Sequence, residues 1–238
     1  MAELPSADNS IETIDPRRTV AELALEHAAA AAVFRRHRID YCCHGEVALA
    51  EACRERGLDL SAVTAELDAA VRRRPQSDEV DPRTLATAAL IDHIVTRHHE
   101  YLREALPPLR PLAAKVERVH GAHNEKLFTV REVLEELAET LEPHLDEEEE
   151  SLFPRMKSAD RDDERIGRDL VAARDEHLQV GSLLEQLTDA TDAFHVPEWA
   201  CGSYRALFRE LEALTADVLR HIHLENHVLM PRFPVKER

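Results

Sequence analysis

Aromatic residues make up only 4% of these 238 residues, and glycine only six of them. Strands favour β-branched and aromatic side chains, and phosphate-cradling loops need glycine. An all-β sandwich and a Gly-rich nucleotide fold are therefore excluded. Basic charge is short as well: 30 Lys and Arg stand against 47 Asp and Glu, a formal charge of −17. Neither nucleic acid nor an anionic membrane is expected as a partner, since both need a basic surface. No apolar run approaches the roughly 18 residues of a spanning helix. Residues 1–18 lack the basic and apolar parts of a secretory signal. Four cysteines are too few for a disulfide framework in a chain this long. Two of them, Cys42 and Cys43, are adjacent, where a mutual bridge would close a strained ring. The expectation is a reduced, cytoplasmic protein.

What is abundant is Ala, Leu, Glu and Arg, the composition of helices. Residues 1–17 read as loose and end on the Asp15-Pro16 turn signal. Thr19 with Glu22 has the spacing of a capping box, opening an Ala-rich helix to about His37. A break at Asp40–Gly45 is followed by a helix to Arg56, stopped by Gly57, and by a third starting near Ser61. These three form a small helical N-terminal module over 18–75. Residues 76–83 carry mixed charge and read as a linker. Four longer segments follow over 84–233: roughly 84–106, 126–157, 162–192 and 197–230. Pro107, Pro108 and Pro111 are expected to break the first, with a further piece to about His120. Four such segments predict an all-α, up-down four-helix bundle.

Histidine is plentiful at 14 residues, and its placement carries the chemistry. His144 and Glu148 are spaced i, i+4, as are His221 and Glu225, which puts each pair on one helix face. The surroundings repeat at an offset of 77, with Pro154 and Pro231 each ten residues after the histidine. Apolar residues at alternating intervals of three and four place both pairs on core-facing stripes. One stripe runs through Leu137, Leu141, His144, Glu148 and Leu152, and another through Leu214, Val218, His221, Glu225 and Val228. Two further stripes bring in His177, between Ala173 and Val180, and His99, between Val95 and Leu102. His98 lies on a weaker parallel stripe with Leu90, Ile94 and Tyr101; the stripe of His99 is otherwise purely apolar, which favours His99. Of the remaining histidines, His93, His123, His195, His223 and His227 fall off the stripes and read as solvated or supporting. Cys53 and Cys201 read as ordinary buried thiols, and the rest of the run Glu147–Glu150 as a solvated acidic face. Pro143 is expected to kink its helix at the site.

A single His-x-x-x-Glu on a stripe is ordinarily a hydrogen-bonded pair. Two matched copies, plus two more inward histidines, point to metal. A buried ionised carboxylate without a partner costs several kcal/mol, and no Lys or Arg sits on these stripes to compensate two of them. Four imidazoles and two carboxylates suit two six-coordinate first-row ions with each glutamate bridging both. Imidazole-rich ligation without thiolate fits iron better than calcium or magnesium. Two ferrous ions against two carboxylates leave about +2 of charge, room for an oxo, hydroxo or small anionic ligand.

Asp40-Tyr41-Cys42-Cys43-His44-Gly45 ahead of this histidine and glutamate bundle resembles the Repair of Iron Centres proteins, whose bundle is hemerythrin-like. Ile91-Asp92-His93-Ile94, Lys115–His120 and Leu224-Glu225-Asn226 match as well, so the resemblance runs from about Thr19 to Pro231. It implies a di-iron protein whose ligands fall on His99, His144, Glu148, His177, His221 and Glu225, the set that the stripes select. It also implies a stress-response function: repair of iron–sulfur clusters damaged by oxidative or nitrosative stress, by donation of iron, with Cys42 and Cys43 as a thiol relay. The implied partners are iron–sulfur proteins with damaged clusters and small ligands such as nitric oxide or oxygen, with a homodimer as one possible assembly. Two alternatives share the site: an enzyme that reduces nitric oxide or peroxide, and a hemerythrin-like sensor. The sequence departs from the family in His44, where glycine is common, and in Pro143 before a ligand.

Overall fold

A computed structural model describes residues 13–73 and 80–233. The expected loose stretch 1–17 and the start of the linker 76–83 therefore lie partly outside the described residues. Among those described, the only strand-like feature is an isolated antiparallel bridge, Thr19 with Ala48. They form two compact units: one holds the residues before Cys42 and those from Gly45 to Arg73, the other Cys42–His44 with everything from Val80 onward. The 18–75 module read from the sequence includes Cys42–His44; the structure groups those three residues with the bundle.

The first unit is built of α1 (Val20–Glu26), α2 (Ala28–Arg36), α3 (Leu49–Glu55) and α4 (Leu60–Arg73). Thr19 and Glu22 form the reciprocal capping box. The Ala-rich stretch is two helices rather than one, because His27 takes an extended backbone conformation between them. Asp59, not Ser61, caps α4: its carboxylate accepts from the Ser61 amide at 2.8 Å. Gly57 ends the preceding turn at φ +64°, a left-handed conformation that glycine adopts without strain. Leu23, Val33, Phe34, Leu49, Val63 and Leu67 are buried inside this unit.

The second unit contains α5 (Thr87–Ile94), α6 (Glu100–His120), α7 (Lys126–Glu147), α8 (Phe153–Lys157), α9 (Asp163–Ala190) and α10 (Gly202–Leu224). The last four residues of the presumed linker lead into a short 3-10 turn, Pro82–Thr84, capped by Asp81. Helices α6 and α9 each pack against both α7 and α10, closing a four-helix ring around a leucine-rich core. The prolines do not break the first long segment. Pro107, Pro108 and Pro111 all lie within α6 on its exposed side, where solvent can satisfy the carbonyls that lose a donor. Meanwhile Leu102, Leu106, Leu109 and Val116 hold the buried side in place. The last segment opens later than His195-Val196-Pro197, at Gly202, with Cys201 as its N-cap.

Among the described residues three turns widen into π-helix, and all three carry site residues. Val95–His99, Glu148–Leu152 and Glu225–Leu229 are π-helical, closed by bonds from Glu100 to Val95, Phe153 to Glu148 and Met230 to Glu225. The second and third repeat at the same offset as their flanking prolines. Pro154 and Pro231 lack the N–H that an α turn would direct at the carbonyl four residues back, and their rings crowd that carbonyl. The helix widens there and takes i+5 bonds instead. The helix also runs on through Pro143, so the irregularity sits at Glu148–Leu152 rather than at that proline.

Candidate metal centre

The inward stripes converge at mid-bundle on two overlapping groups. One is His99, Glu148, His221 and Glu225; the other is His144, Glu148, His177 and Glu225, with the ligand atoms of each group within 4.8 Å of one another. Both carboxylates belong to both groups. Each imidazole presents its Nε2: His99 at 3.5 Å and His144 at 3.5 Å from Glu148 Oε2, His177 at 3.1 Å from Glu225 Oε2, and His221 at 2.8 Å from Glu225 Oε1. Glu148 and Glu225 are 2% and 0% exposed. Among the described residues their ion-pair partners are histidines, with no Lys or Arg. Inside this pocket His144 Nε2, His177 Nε2, both Glu148 oxygens and Glu225 Oε2 have no hydrogen-bond partner. So many orphaned polar atoms facing one point are costly without a cation among them. The donor set of imidazole nitrogen and carboxylate oxygen fits such an ion.

The outer nitrogens are held differently. His99 Nδ1 bonds Glu149 Oε1 at 3.0 Å, His144 Nδ1 bonds Glu176 Oε2 at 2.6 Å, and His177 Nδ1 bonds Asn226 Oδ1 at 2.9 Å. An acceptor on Nδ1 keeps the proton there and turns the Nε2 lone pair inward, the usual support of a metal-binding histidine. His221 is placed instead by stacking on His98, with ring centroids 5.8 Å apart and planes 7° apart. Electrostatics separate the two buried carboxyls. Burial, and then the neighbouring Glu225, push Glu148 well above the usual carboxylate range. Burial would raise Glu225 too, but the imidazoles of His221, His177 and His99 outweigh it and hold Glu225 well below that range. Burial also drives His221 down to about 3. Of the two carboxyls, Glu148 is thus the one that takes up a proton more readily.

Residues 90–233 match the family model of the hemerythrin HHE cation binding domain, and residues 16–71 match ScdA_N, a domain of unknown function (DUF542). Proteins called iron-sulfur cluster repair protein YtfE, from Escherichia coli O1:K1, Citrobacter koseri and Escherichia fergusonii, are each 37% identical over 211 residues. That alignment covers 89% of this chain and 94% of each relative. The chain belongs to the Repair of Iron Centres family. Its bundle is the hemerythrin-like part, and the helical module before it is the DUF542 part.

In this member of the Repair of Iron Centres family, the structure brings together all six residues that the stripes select. His98 is buried but turned to Asp217, 2.9 Å away. Three supporting residues escaped the sequence reading: Glu149, assigned there to a solvated acidic face, Glu176 and Asn226. Each is the chain neighbour of a site residue, which was the available signal. Glu149 also meets Arg103 at 3.1 Å. His223, read as solvated or supporting, is 3% exposed. Cys53 is buried, but Cys201 is exposed, with His120 Nε2 at 3.1 Å, because an N-cap at the end of a bundle cannot enter its core. Cys42 is buried and Cys43 half-buried, their sulfurs 3.5 Å apart.

Proposed function

We propose that His99, His144, Glu148, His177, His221 and Glu225 hold two iron ions, and that this protein repairs damaged iron–sulfur clusters by handing that iron to them. The observation that carries this reading is the pair of overlapping His/Glu groups sharing both carboxylates, with orphaned nitrogens and oxygens facing inward. Imidazole and carboxylate bind ferrous iron without the thiolates that would retain it, and such ligands take up protons as metal leaves. Glu148 is the group poised to accept one. The targets would be iron–sulfur proteins that have lost metal, in the cytoplasm. No helix among the described residues is long and apolar enough to cross a membrane. An oxo, hydroxo, nitric oxide or oxygen ligand would occupy the space between the ions, and the chain would act as a monomer or homodimer.

The deciding experiment incubates the iron-loaded protein anaerobically with an apo iron–sulfur protein, then separately with nitric oxide or peroxide. Donation predicts iron in the client and recovery of its activity, without sustained turnover of the small molecule. Catalytic consumption with no transfer would make the protein an enzyme instead. In the same assay Cys42→Ser with Cys43→Ser is expected to keep its iron and lose most of the transfer; unchanged transfer would reduce these thiols to packing.

The boundaries 18–75, 76–83 and 84–233 are part of the same reading. A chain lacking residues 1–75 should remain helical and bind metal, since all six proposed ligands lie beyond the cut. Circular dichroism and metal content test this, and an unfolded or metal-free product would refute it.

A further inference from the structure

Asn226 follows Glu225 in a π turn and is 8% exposed. Its two side-chain ends meet different partners: Nδ2 donates to the Cys42 carbonyl at 2.9 Å, and Oδ1 lies 2.9 Å from His177 Nδ1. All three residues belong to the bundle unit. The chemistry permits one arrangement only. A carbonyl can accept but not donate, so Cys42 must face the amide NH2 of Asn226. The carboxamide oxygen is then left for His177, whose Nδ1 must carry the proton. In neutral imidazole this leaves the lone pair on Nε2, the nitrogen aimed at Glu225. The main chain of Cys42 thereby selects the tautomer of a candidate ligand two hydrogen bonds away. The same stretch touches α9 again: Cys43 Sγ donates to the His177 carbonyl at 3.5 Å, and a Cβ added at Gly181, one turn on, would lie 3.6 Å from that sulfur.

We propose that Asn226 is a positioning residue coupling metal occupancy at His177 to the hold on Cys42-Cys43. This rests on His177 being a ligand. Metal on Nε2 withdraws charge from the ring and strengthens the Nδ1–H bond to Asn226. The polarised carboxamide then grips the Cys42 carbonyl more firmly. Linkage makes the effect reciprocal: a held cysteine segment raises metal affinity by the factor by which metal tightens the segment. His227 Nε2 donates to the same carbonyl at 3.0 Å, so losing Asn226 severs the connection without freeing the segment from every donor.

The test uses the full chain and ferrous iron under anaerobic conditions. Alkylation of Cys42 and Cys43 by iodoacetamide is followed by peptide mass mapping, which separates them from Cys53 and Cys201, while metal affinity is measured in parallel. Wild-type protein should alkylate about tenfold more slowly when loaded. Asn226→Ala should bring the loaded and metal-free rates together and weaken iron binding about 10–100-fold, the usual cost of losing a partner behind a ligand. Asn226→Asp keeps an oxygen for His177 Nδ1 but turns another oxygen on the Cys42 carbonyl. It should therefore bind iron at least as well as wild type and still lose the difference in rate. A merely structural asparagine would not split the two readouts. Wild-type rates indifferent to loading, or Asn226→Asp retaining the wild-type difference, would overturn the coupling while leaving the metal site intact. Wild-type protein that takes up no iron would overturn both.

Discussion

Replacing His144 and His221 together with alanine should strip most of the iron from the purified protein. The two residues fall in different groups, so each group drops to one imidazole and the two shared carboxylates. Wild-type protein should hold about two irons per chain, one for each of the two overlapping groups, each of which offers two imidazoles and the two shared carboxylates. Losing a ligand should cost more than the roughly 10–100-fold that a supporting residue is worth, enough for the metal to be lost on desalting. Elemental analysis reads the result directly. The fitting comparison is His98→Ala: this buried histidine is turned to Asp217 and only stacks on His221, so its loss should weaken binding by at most about 10–100-fold and leave far more iron than the double variant. Full iron content in the double variant would end the assignment; loss in both proteins alike would mean that the bundle had come apart.

Metal-free protein should become more heat-stable when Glu148 is replaced by glutamine, and the gain should depend on pH. Glu148 titrates near 4.5 in the unfolded chain and well above it in the fold, mainly through burial. Its contribution is most favourable below about 4.5 and is lost as pH rises through the folded value. Glutamine removes that loss. The variant should match wild type near pH 4, then gain about 1.4 kcal/mol for each pH unit up to the folded value, roughly 3–6 °C per unit for a chain of this size. His221 works in the opposite direction. Its value falls from 6.5 to about 3 on folding, so its stability is present above 6.5 and disappears as pH drops towards 3. Acid therefore brings metal-free wild type relief at Glu148 and strain at His221, whereas Glu148→Gln should show only the acid loss. Glu225 is held ionised by the imidazoles around it, so Glu225→Gln should lower the metal-free melting temperature. Calorimetry across pH 4–8 checks both signs. If Glu148→Gln melted lower than wild type at pH 8, Glu148 would be making a structural bond, and the account of a carboxyl destabilised by burial would fail.

Much of this was legible from spacing alone. Leu137, Leu141, His144, Glu148 and Leu152 mark one buried face because a helix returns to the same side every three to four residues, and the structure buries all five. The same rule misleads where the helix is not α. A π turn rotates each residue by less than the usual 100°, so Glu148 and Glu149 stay close to one face, and a strict α count sends Glu149 to solvent. His98 with His99 and Glu225 with Asn226 are neighbours of the same kind. Glu176 was hidden for another reason: its partner His144 is on another helix, and no periodicity within one segment reports a contact between two. The prolines of α6 were misread because propensity charges them as in a helix interior, whereas one exposed side and a leucine-lined buried side remove most of that cost. Local rules gave the helices their faces; contacts across the bundle decided the rest.

The three π turns make the centre a matter of chain length as well as chemistry. Each holds one residue more than an α turn of the same rotation, so the stretches on either side keep the phase of an unbroken helix. A deletion at Thr96, Glu150 or His227, none of them in either His/Glu group, would let an ordinary turn re-form. The buried side chains beyond it, Leu152, Phe153 and Met156 behind Glu150 and Leu229 and Met230 behind His227, would keep their places in the core. What would change is the turn itself. Neighbouring residues would spread by the full 100°, and Glu149 would leave its place behind His99. A one-residue shortening behind Glu148 would thus spare the fold and every candidate ligand while stripping one of them of its support.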